Sequence, residues 1–211
     1  MNTKKVLIAD DHMIFREGLK QVIARTVDLS VADEVGNGLD VLRKVRENSY
    51  DVVILDISMP GKNGLEVLAD IKQINPKLPV LILSMYPEEQ FALRALKCGA
   101  SGYLTKGSSS KEILDALHRV VMGKRYISPS LAEALADGLG VDSDRPLHET
   151  LSAREYQVAL MISAGKKPVQ ISAELAMGVK TVGTYRSRIF RKMNIKSSAE
   201  LARYAAEHNL V

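Results

Sequence analysis

The sequence predicts an α/β protein with a doubly wound, five-stranded parallel sheet, followed by a small all-α domain of four helices. Over residues 3–121, five short apolar segments rich in β-branched residues alternate with segments of helical periodicity. The connections between them are short, which favours parallel strands covered by helices on both faces. From residue 147 onwards the periodicity is helical throughout.

Each strand of the predicted sheet is a short apolar run bounded by polar or turn residues. The strands are predicted at residues 5–9, 30–35, 52–55, 79–84 and 101–104. The helices between them are marked by apolar residues at helical spacing. These helices run through Phe15, Leu19, Val22 and Ile23; through Leu39, Leu42 and Val45; through Leu65, Leu68 and Ile71; over residues 88–97; and from a capping box at Ser109 and Glu112 to Val121.

A linker separates the two predicted domains. Residues 122–146 lose the alternation, contain several glycines and prolines, and keep one short helical piece at residues 131–136. The first domain is therefore predicted at residues 3–121 and the second at residues 147–211.

The second domain carries its own helix boundaries in the sequence. Ser152 and Glu155 form a capping box, and the helix that follows is expected to end at Gly165. Pro168 suits the first turn of a second helix. A third helix ends near Met193, and a fourth, capped at Ser197, is expected to reach the C-terminus.

Composition narrows the class of protein. The 211 residues suit two compact domains, and a single cysteine, Cys98, permits no internal disulfide bond. The N-terminus leads into a strand rather than into a signal-peptide core, and no apolar run approaches the roughly 20 residues that cross a bilayer. We therefore expect a protein of the reducing cytoplasm with no membrane segment.

The net charge of +4 is unevenly distributed. Residues 1–120 contain 16 basic and 16 acidic residues, so the whole excess of positive charge lies in residues 121–211. Within this part, residues 178–198 contain six basic residues and no acidic one. This clustering on one predicted helix favours a polyanionic partner over an ordinary solvated face.

Polar residues follow four of the predicted strands where each strand ends. Asp10 and Asp11 follow the first strand, Asp56 follows the third, Ser84 ends the fourth, and Lys106 comes just after the fifth. The carboxyl ends of parallel strands meet at one edge of the sheet, which is where open α/β sheets bind ligands. We expect these five side chains to converge there.

The chemistry of this group points to phosphoryl transfer. Three carboxylates repel one another unless a cation lies among them, and hard oxygen ligands suit Mg²⁺. Asp56 could then act as a nucleophile toward phosphorus and form an aspartyl phosphate. Lys106 would neutralise the added charge, and Ser84 would donate a hydrogen bond to it.

These residues resemble the receiver domain of bacterial response regulators, a CheY-like (flavodoxin-like) fold, over residues 3–121. The resemblance implies that Asp56 is the phosphorylation site. It also implies that Asp11, Asp56 and the backbone carbonyl of Ser58 hold Mg²⁺, and that Asp10 lies next to these ligands and mostly does not bind the ion directly. Tyr103 matches the switch aromatic of that family, and we expect movement of Ser84 to let Tyr103 turn inward.

The third helix of the second domain has two different faces. Val182, Tyr185, Ile189 and Met193 fall on one stripe and are expected to pack inward. The opposite face is polar and basic, as in a recognition helix that enters the major groove. That face contains Lys180, Thr184, Ser187, Arg188 and Arg191.

The wider pattern of residues 147–211 resembles the LuxR-type helix-turn-helix. The resemblance is carried by the segment Leu151-Ser-Ala-Arg-Glu155 and by Gly165, Ile171, Leu175, Thr181-Val182 and Lys192-Met193. Gly183 and Tyr185 depart from it, since lysine and histidine are commoner there. The resemblance implies promoter DNA as a partner.

Together the two halves resemble a response regulator of the NarL/FixJ type. The expected function is a transcription factor whose Asp56 receives phosphate from a histidine kinase and which then binds promoter DNA as a dimer. It would be no enzyme beyond its own phosphorylation and dephosphorylation.

Two alternatives remain open from the sequence. An aspartyl-phosphate phosphohydrolase is disfavoured, because it usually needs a second aspartate two residues after the nucleophile, where Ser58 stands. A regulator that binds DNA or a protein partner without phosphorylation stays possible. Met85 beside Ser84 and Gly107 beside Lys106 both depart from the receiver pattern, and Gly107 leaves open whether that loop has its usual cis peptide bond.

Overall fold

The computed structural model describes residues 3–138 and 146–211, and the chain forms two compact units, Met1–Gly140 and Val141–Val211. The first unit contains a five-stranded sheet in which every neighbouring pair is parallel. Its strands are β1 (Lys4–Ala9), β2 (Leu29–Val35), β3 (Val52–Leu55), β4 (Val80–Ser84) and β5 (Gly102–Thr105).

The strand order β2-β1-β3-β4-β5 places the functional edge of the sheet. The chain moves outward in one direction from β1 to β2 and in the other direction from β3 to β5. Ligands of open α/β sheets bind at this reversal point, beyond the carboxyl ends of the strands. In this protein the reversal lies between β1 and β3, which end at Ala9 and Leu55.

Five helices connect and cover these strands. They are α1 (Met13–Ile23), α2 (Gly38–Glu47), α3 (Gly64–Ile74), α4 (Glu88–Lys97) and α5 (Ser110–Val121). On one face of the sheet, Leu19 of α1 and Leu117 of α5 pack in a common core with Ile8 and Ile54 of the central strands. The sheet is thus a rigid platform for the residues at its edge. The predicted bounds of β3 and α4 are confirmed.

Leu39, one of the three residues that marked α2 in the sequence, does not lie on its buried face. Leu39 is 65% exposed, whereas Val41 is buried together with Leu42 and Val45. The helix begins at Gly38, after an Asn37 side chain that accepts a hydrogen bond from the backbone of Asp40. Val41, Leu42 and Val45 define the inward stripe of the helix, and Leu39 lies outside it.

The first half of the predicted linker is ordered against the first unit. The backbone N–H of Tyr126 donates to the carbonyl of Ser101 (2.8 Å), and the Ser128 hydroxyl donates to Glu88 of α4 (2.5 Å). The predicted helical piece lies within α6 (Pro129–Gly138). The segment therefore follows the first unit up to α6, and residues 139–145 lie outside the described residues.

In the second unit, the described residues 146–211 contain four α-helices, preceded by a short 3₁₀ turn (Leu147–Thr150). The helices are α7 (Ala153–Ser163), α8 (Pro168–Glu174), α9 (Val179–Lys192) and α10 (Ser198–Glu207). The predicted capping box of Ser152 and Glu155 is present, and the Ser197 side chain caps α10.

The last helix ends earlier than predicted. It stops at Glu207, and Asn209 adopts a positive φ of 51°, which turns the chain back. Leu210 is then buried, and its N–H donates to the carbonyl of Ala205 (2.8 Å). No helix of residues 3–138 or 146–211 combines the length and the apolar character that a membrane crossing requires.

Close packing at the start of α3 predicts the effect of substituting Gly64. A β-carbon there would lie 2.0 Å from the backbone oxygen of Asp56. We expect Gly64→Ala to lower the free energy of unfolding by about 3 kcal/mol, because backbone must move to relieve the overlap. Urea denaturation followed by far-UV circular dichroism measures this change.

The matched control is Gly18→Ala in the interior of α1. A β-carbon at Gly18 meets nothing within 4 Å, so this change should raise stability by up to about 1 kcal/mol through helix propensity. Equal stabilities for the two variants would contradict the packing at Gly64.

Candidate phosphorylation site and nucleic-acid interface

Asp56 and Asp10 lie side by side at the carboxyl edge of the sheet. Asp56 is the residue directly after β3, and its N–H donates to the carbonyl of Ala9 at the end of β1 (2.8 Å). This bond continues the ladder by one residue and fixes the Asp56 backbone. The two aspartates are 1% and 2% exposed, so their charges need a partner inside the protein.

That partner is Lys106. Its Nζ lies 2.7 Å from Oδ2 of Asp10 and 2.7 Å from Oδ2 of Asp56, and its side chain is only 3% exposed. The N–H of Lys106 donates to the carbonyl of Ser84 (2.8 Å), and its ammonium lies 5.0 Å from the centre of the Phe15 ring. One cation thus bridges two buried carboxylates that would otherwise repel each other.

Asp11 and His12 form the outer side of the site. The Nδ1 atom of His12 lies 2.9 Å from Oδ1 of Asp11, 3.2 Å from Oδ1 of Asp10 and 3.9 Å from Oδ2 of Asp56. It also lies 3.2 Å from Nζ of Lys106. His12 is not among the residues predicted for the site, and its only signal in the sequence is its place directly after the aspartate pair.

The residues of this edge fit a divalent cation. Potential ligand atoms of Asp10, Asp11, His12 and Asp56 all lie within 4.8 Å of one another. The carboxylate oxygens are hard donors of the kind that Mg²⁺ prefers, and one side of the group faces solvent, which leaves room for the waters that Mg²⁺ retains. The N–H of Ser58 donates to Oδ1 of Asp56 (3.2 Å), which fixes the backbone next to the carboxylate.

The ionisation of Asp56 depends on its neighbours. Burial raises the pKa of the Asp56 carboxyl above its ordinary value, and the charge of Asp10 adds to this rise, whereas Lys106 opposes it. A second cation at this edge would favour the charged carboxylate further. The site therefore holds a desolvated carboxylate whose charge depends on positive groups placed beside it.

Ser84 and Tyr103 are both in place behind the edge. Ser84 is fully buried, and its hydroxyl accepts a hydrogen bond from the N–H of Tyr86 (3.3 Å). The hydroxyl of Tyr103, also fully buried, donates to the carbonyl of Tyr86 (2.8 Å), and burial raises the pKa of Tyr103 well above its usual value. Tyr103 is therefore already turned inward in this structure. The inward turn that was expected to follow a movement of Ser84 is present without that movement.

The two departures from the receiver pattern lie on the surface. Met85 is 69% exposed, and Gly107 is exposed in the loop after β5. No peptide bond in the described part of the chain is cis, so the loop at Lys106 has the trans form.

In the second unit, α9 has one buried face and one exposed basic face. Val182, Ile189 and Met193 are buried, as their spacing predicts, and Tyr185 is half-buried. The residues predicted for the outer face are all exposed. They are Lys180, Thr184, Ser187, Arg188 and Arg191.

The small residues of α9 leave its outer face accessible. The hydroxyls of Thr184 and Ser187 donate to the carbonyls of Lys180 and Gly183 (both 3.1 Å), which leaves their oxygen lone pairs as acceptors. A β-carbon at Gly183 would meet nothing within 4 Å. The helix can therefore approach a groove closely at this point.

Both halves of the chain match known families. Residues 6–118 match the response regulator receiver domain, and residues 149–205 match the bacterial regulatory proteins of the luxR family. The response regulator GacA of Pseudomonas aeruginosa is 40% identical over 209 residues, which cover 98% of this chain and 97% of that protein. The response regulator UvrY of Escherichia coli is 34% identical over 97% of this chain and 94% of its own length.

One solved structure of a response regulator is also similar to this chain along its whole length. The crystal structure of the response regulator ChrA of a heme-sensing two-component system is 27% identical, covers the whole of both chains and has a TM-score of 0.54.

The fold and the family matches define a receiver domain joined to a DNA-binding domain. The chain belongs to the response regulators of the NarL/FixJ type, with a LuxR-type helix-turn-helix. It is a phosphorylation-controlled, DNA-binding transcriptional regulator of a two-component system.

The bridging position of Lys106 predicts a large effect of its removal. Lys106→Ala should lower the free energy of unfolding of the first unit by about 3–5 kcal/mol at neutral pH, because two buried carboxylates lose their counter-ion. The loss should shrink as the pH falls, since a carboxyl with a raised pKa takes up a proton and the repulsion ends. Added Mg²⁺ should stabilise the variant more than the wild type.

Differential scanning calorimetry of the full chain measures these differences. The matched control is Lys62→Ala, which breaks a half-exposed ion pair with Asp70 and should cost less than about 1 kcal/mol. If both lysine variants lost the same stability, and Mg²⁺ restored neither, Lys106 would not be the counter-ion of the site.

Proposed function

We propose that Asp56 is the phosphate-accepting residue of this response regulator and that a histidine kinase supplies the phosphoryl group. The observation that carries this proposal is the bridge from Lys106 to Asp10 and Asp56, 2.7 Å to each, at the reversal point of the sheet. A desolvated carboxylate held in one orientation beside a cation is a suitable nucleophile for phosphorus.

The chemistry at Asp56 is a transfer between two carriers. A carboxylate oxygen of Asp56 forms the new bond to phosphorus while the bond from phosphorus to the kinase histidine breaks, and the imidazole leaves with its electron pair. Lys106 and the N–H of Ser58 hold the two carboxylate oxygens during this step. The chain itself catalyses only this transfer and the later hydrolysis.

Mg²⁺ would be held by Asp11, Asp56 and the backbone carbonyl of Ser58, with Asp10 supporting them from the buried side. When bound, the ion offsets the repulsion between the carboxylates and the incoming phosphoryl group. His12 lies among the same carboxylates and would shield the outer side of the site.

Phosphorylation would change the contacts behind the edge. A phosphoryl group adds roughly two negative charges and new acceptor oxygens, so Lys106 and the hydroxyl of Ser84 would turn toward it. The Ser84 hydroxyl now accepts from the N–H of Tyr86, and Tyr103 donates to the carbonyl of the same residue. Movement of Ser84 would therefore act on Tyr86 and Tyr103 together.

The output would be DNA binding by α9. Lys180, Arg188 and Arg191 would contact phosphates, while Thr184 and Ser187 would contact base edges in the major groove. Phosphorylation would promote a homodimer, and a dimer engages two half-sites on one duplex, which raises affinity without any new base contact. The regulator would act in the cytoplasm, at promoter DNA.

Phosphate uptake from acetyl phosphate tests the assignment of Asp56. We expect intact-mass spectrometry to show the gain of one phosphoryl group only when Mg²⁺ is present, and no gain for Asp56→Asn. The matched control is Asp51→Asn, because Asp51 directly precedes the same strand, β3, at its other end and should leave phosphate uptake intact. Uptake by Asp56→Asn at the wild-type rate would show that another residue accepts the phosphate.

A further inference from the structure

The first turn of α7 contains buried charges that phosphorylation and base contacts do not explain. Arg154 and Glu155 are each only 4% exposed, and Gln157 is fully buried. Burying charged groups is unfavourable unless they are paired and hydrogen-bonded. Both charged side chains are paired, and each pair joins α7 to the end of another helix.

Glu155 connects α7 to the end of α9. Its Oε2 accepts a hydrogen bond from the N–H of Ser152 (2.8 Å), which completes the capping box of α7, and lies 2.6 Å from Nζ of Lys192. Although burial raises it, the hydrogen bonds from Lys192 and Ser152 hold the pKa of Glu155 below its usual range. The carboxylate is therefore charged at neutral pH and forms an ion pair with the last turn of α9.

Arg154 connects α7 to the end of α8. Its guanidinium donates to the carbonyl of Leu175, the residue that follows α8 (2.8 Å), and to Oε1 of Gln157 (2.7 Å). Arg154 and Glu155, which we call the α7 clamp, thus hold the ends of the two helices that make up the helix-turn-helix. Arg154 holds the start of the turn, and Glu155 holds the far end of α9.

Lys192 lies next to Arg191 in sequence but is engaged differently. Arg191 belongs to the exposed outer face, whereas the ammonium of Lys192 lies against the buried Glu155. The Lys192 side chain is still 37% exposed, so what distinguishes it from Arg191 is the ion pair that engages its ammonium within its own domain.

We propose that Lys192 is a positioning residue, which together with the α7 clamp sets the angle at which α9 enters the major groove. This inference rests on the proposed role of α9 in reading DNA. The helix has 14 residues and is therefore about 20 Å long, so a tilt of about 5° at its end moves the middle of the helix by about 1 Å. Base contacts from Thr184 and Ser187 are sensitive to such a shift, whereas phosphate contacts by long side chains tolerate it.

Two substitutions with opposite effects on charge test the proposal. Lys192→Met removes a positive charge, and Glu155→Gln removes a negative one while glutamine still completes the capping box. Both break the same ion pair. If the pair positions α9, both variants should lose the same property although their net charges change in opposite directions.

The property that both variants should lose is the preference for one DNA sequence over another. It is measured with the full chain by fluorescence anisotropy. The probes are a duplex of about 30 base pairs, selected by the wild-type chain from a random pool, and a scrambled duplex of equal length. We expect both variants to lose about tenfold of the preference for the selected duplex, the loss typical of one misplaced base contact. Lys192→Arg, which keeps the ion pair, should restore the preference.

The salt dependence separates a positioning role from a phosphate contact. The slope of log affinity against log salt should be unchanged in Lys192→Met, whereas the control Arg188→Ala should reduce it by about one unit on both duplexes. A reduced slope for Lys192→Met, or an unchanged preference in both Lys192→Met and Glu155→Gln, would overturn the proposal.

Two controls keep these outcomes distinct. Circular dichroism below the thermal midpoint verifies that each variant is folded, and Glu155→Gln carries the test if Lys192→Met is not. An unchanged slope for Arg188→Ala would instead show that the DNA-binding surface is not the outer face of α9. That result would count against the proposed function, while the sequence preference of Lys192→Met and Glu155→Gln would still report on the ion pair between Glu155 and Lys192.

Discussion

The structure of the first unit depends on one constraint, the burial of two carboxylates beside each other at the edge of a parallel sheet. Lys106 lies 2.7 Å from a carboxylate oxygen of each, Asp10 and Asp56, and offsets their repulsion. The strand order brings β1 and β3 together, and the absence of a side chain at Gly64 lets α3 begin against the backbone of Asp56. The ammonium of Lys106 cannot pair equally with a phosphoryl group and with both aspartates. The site therefore responds to an added anion.

The second unit uses buried charge for a different purpose. Arg154 and Glu155 lie on one turn of α7 and bind the ends of α8 and α9 through directed hydrogen bonds. Buried Val182 and Ile189 hold α9 against the unit, but apolar burial is non-directional and restricts the helix angle less. Directional bonds at the helix end supply that restriction, which suits a helix whose outer face must meet a groove in one register.

The sequence was sufficient for the sheet and for most of its edge. A parallel sheet forces the ends of its strands together, so Asp10, Asp56 and Lys106 could be assembled from strand positions alone. It was insufficient where side-chain direction depends on the local start of an element. His12 enters the site through the turn before α1, which the strand positions do not predict. The ion pair of the α7 clamp joins residues 37 positions apart, which no local pattern reveals.

If a phosphoryl group at Asp56 controls DNA binding, beryllofluoride should reproduce its effect. Addition of beryllofluoride with Mg²⁺ mimics the phosphorylated aspartate without turnover. Sedimentation velocity and DNA binding are then measured on the same samples of the full chain. We expect a mainly monomeric protein that becomes dimeric and binds its selected duplex more tightly when the mimic is bound. Beryllofluoride that occupies Asp56 and changes neither oligomeric state nor affinity would contradict this expectation, and would favour a regulator that works without phosphorylation.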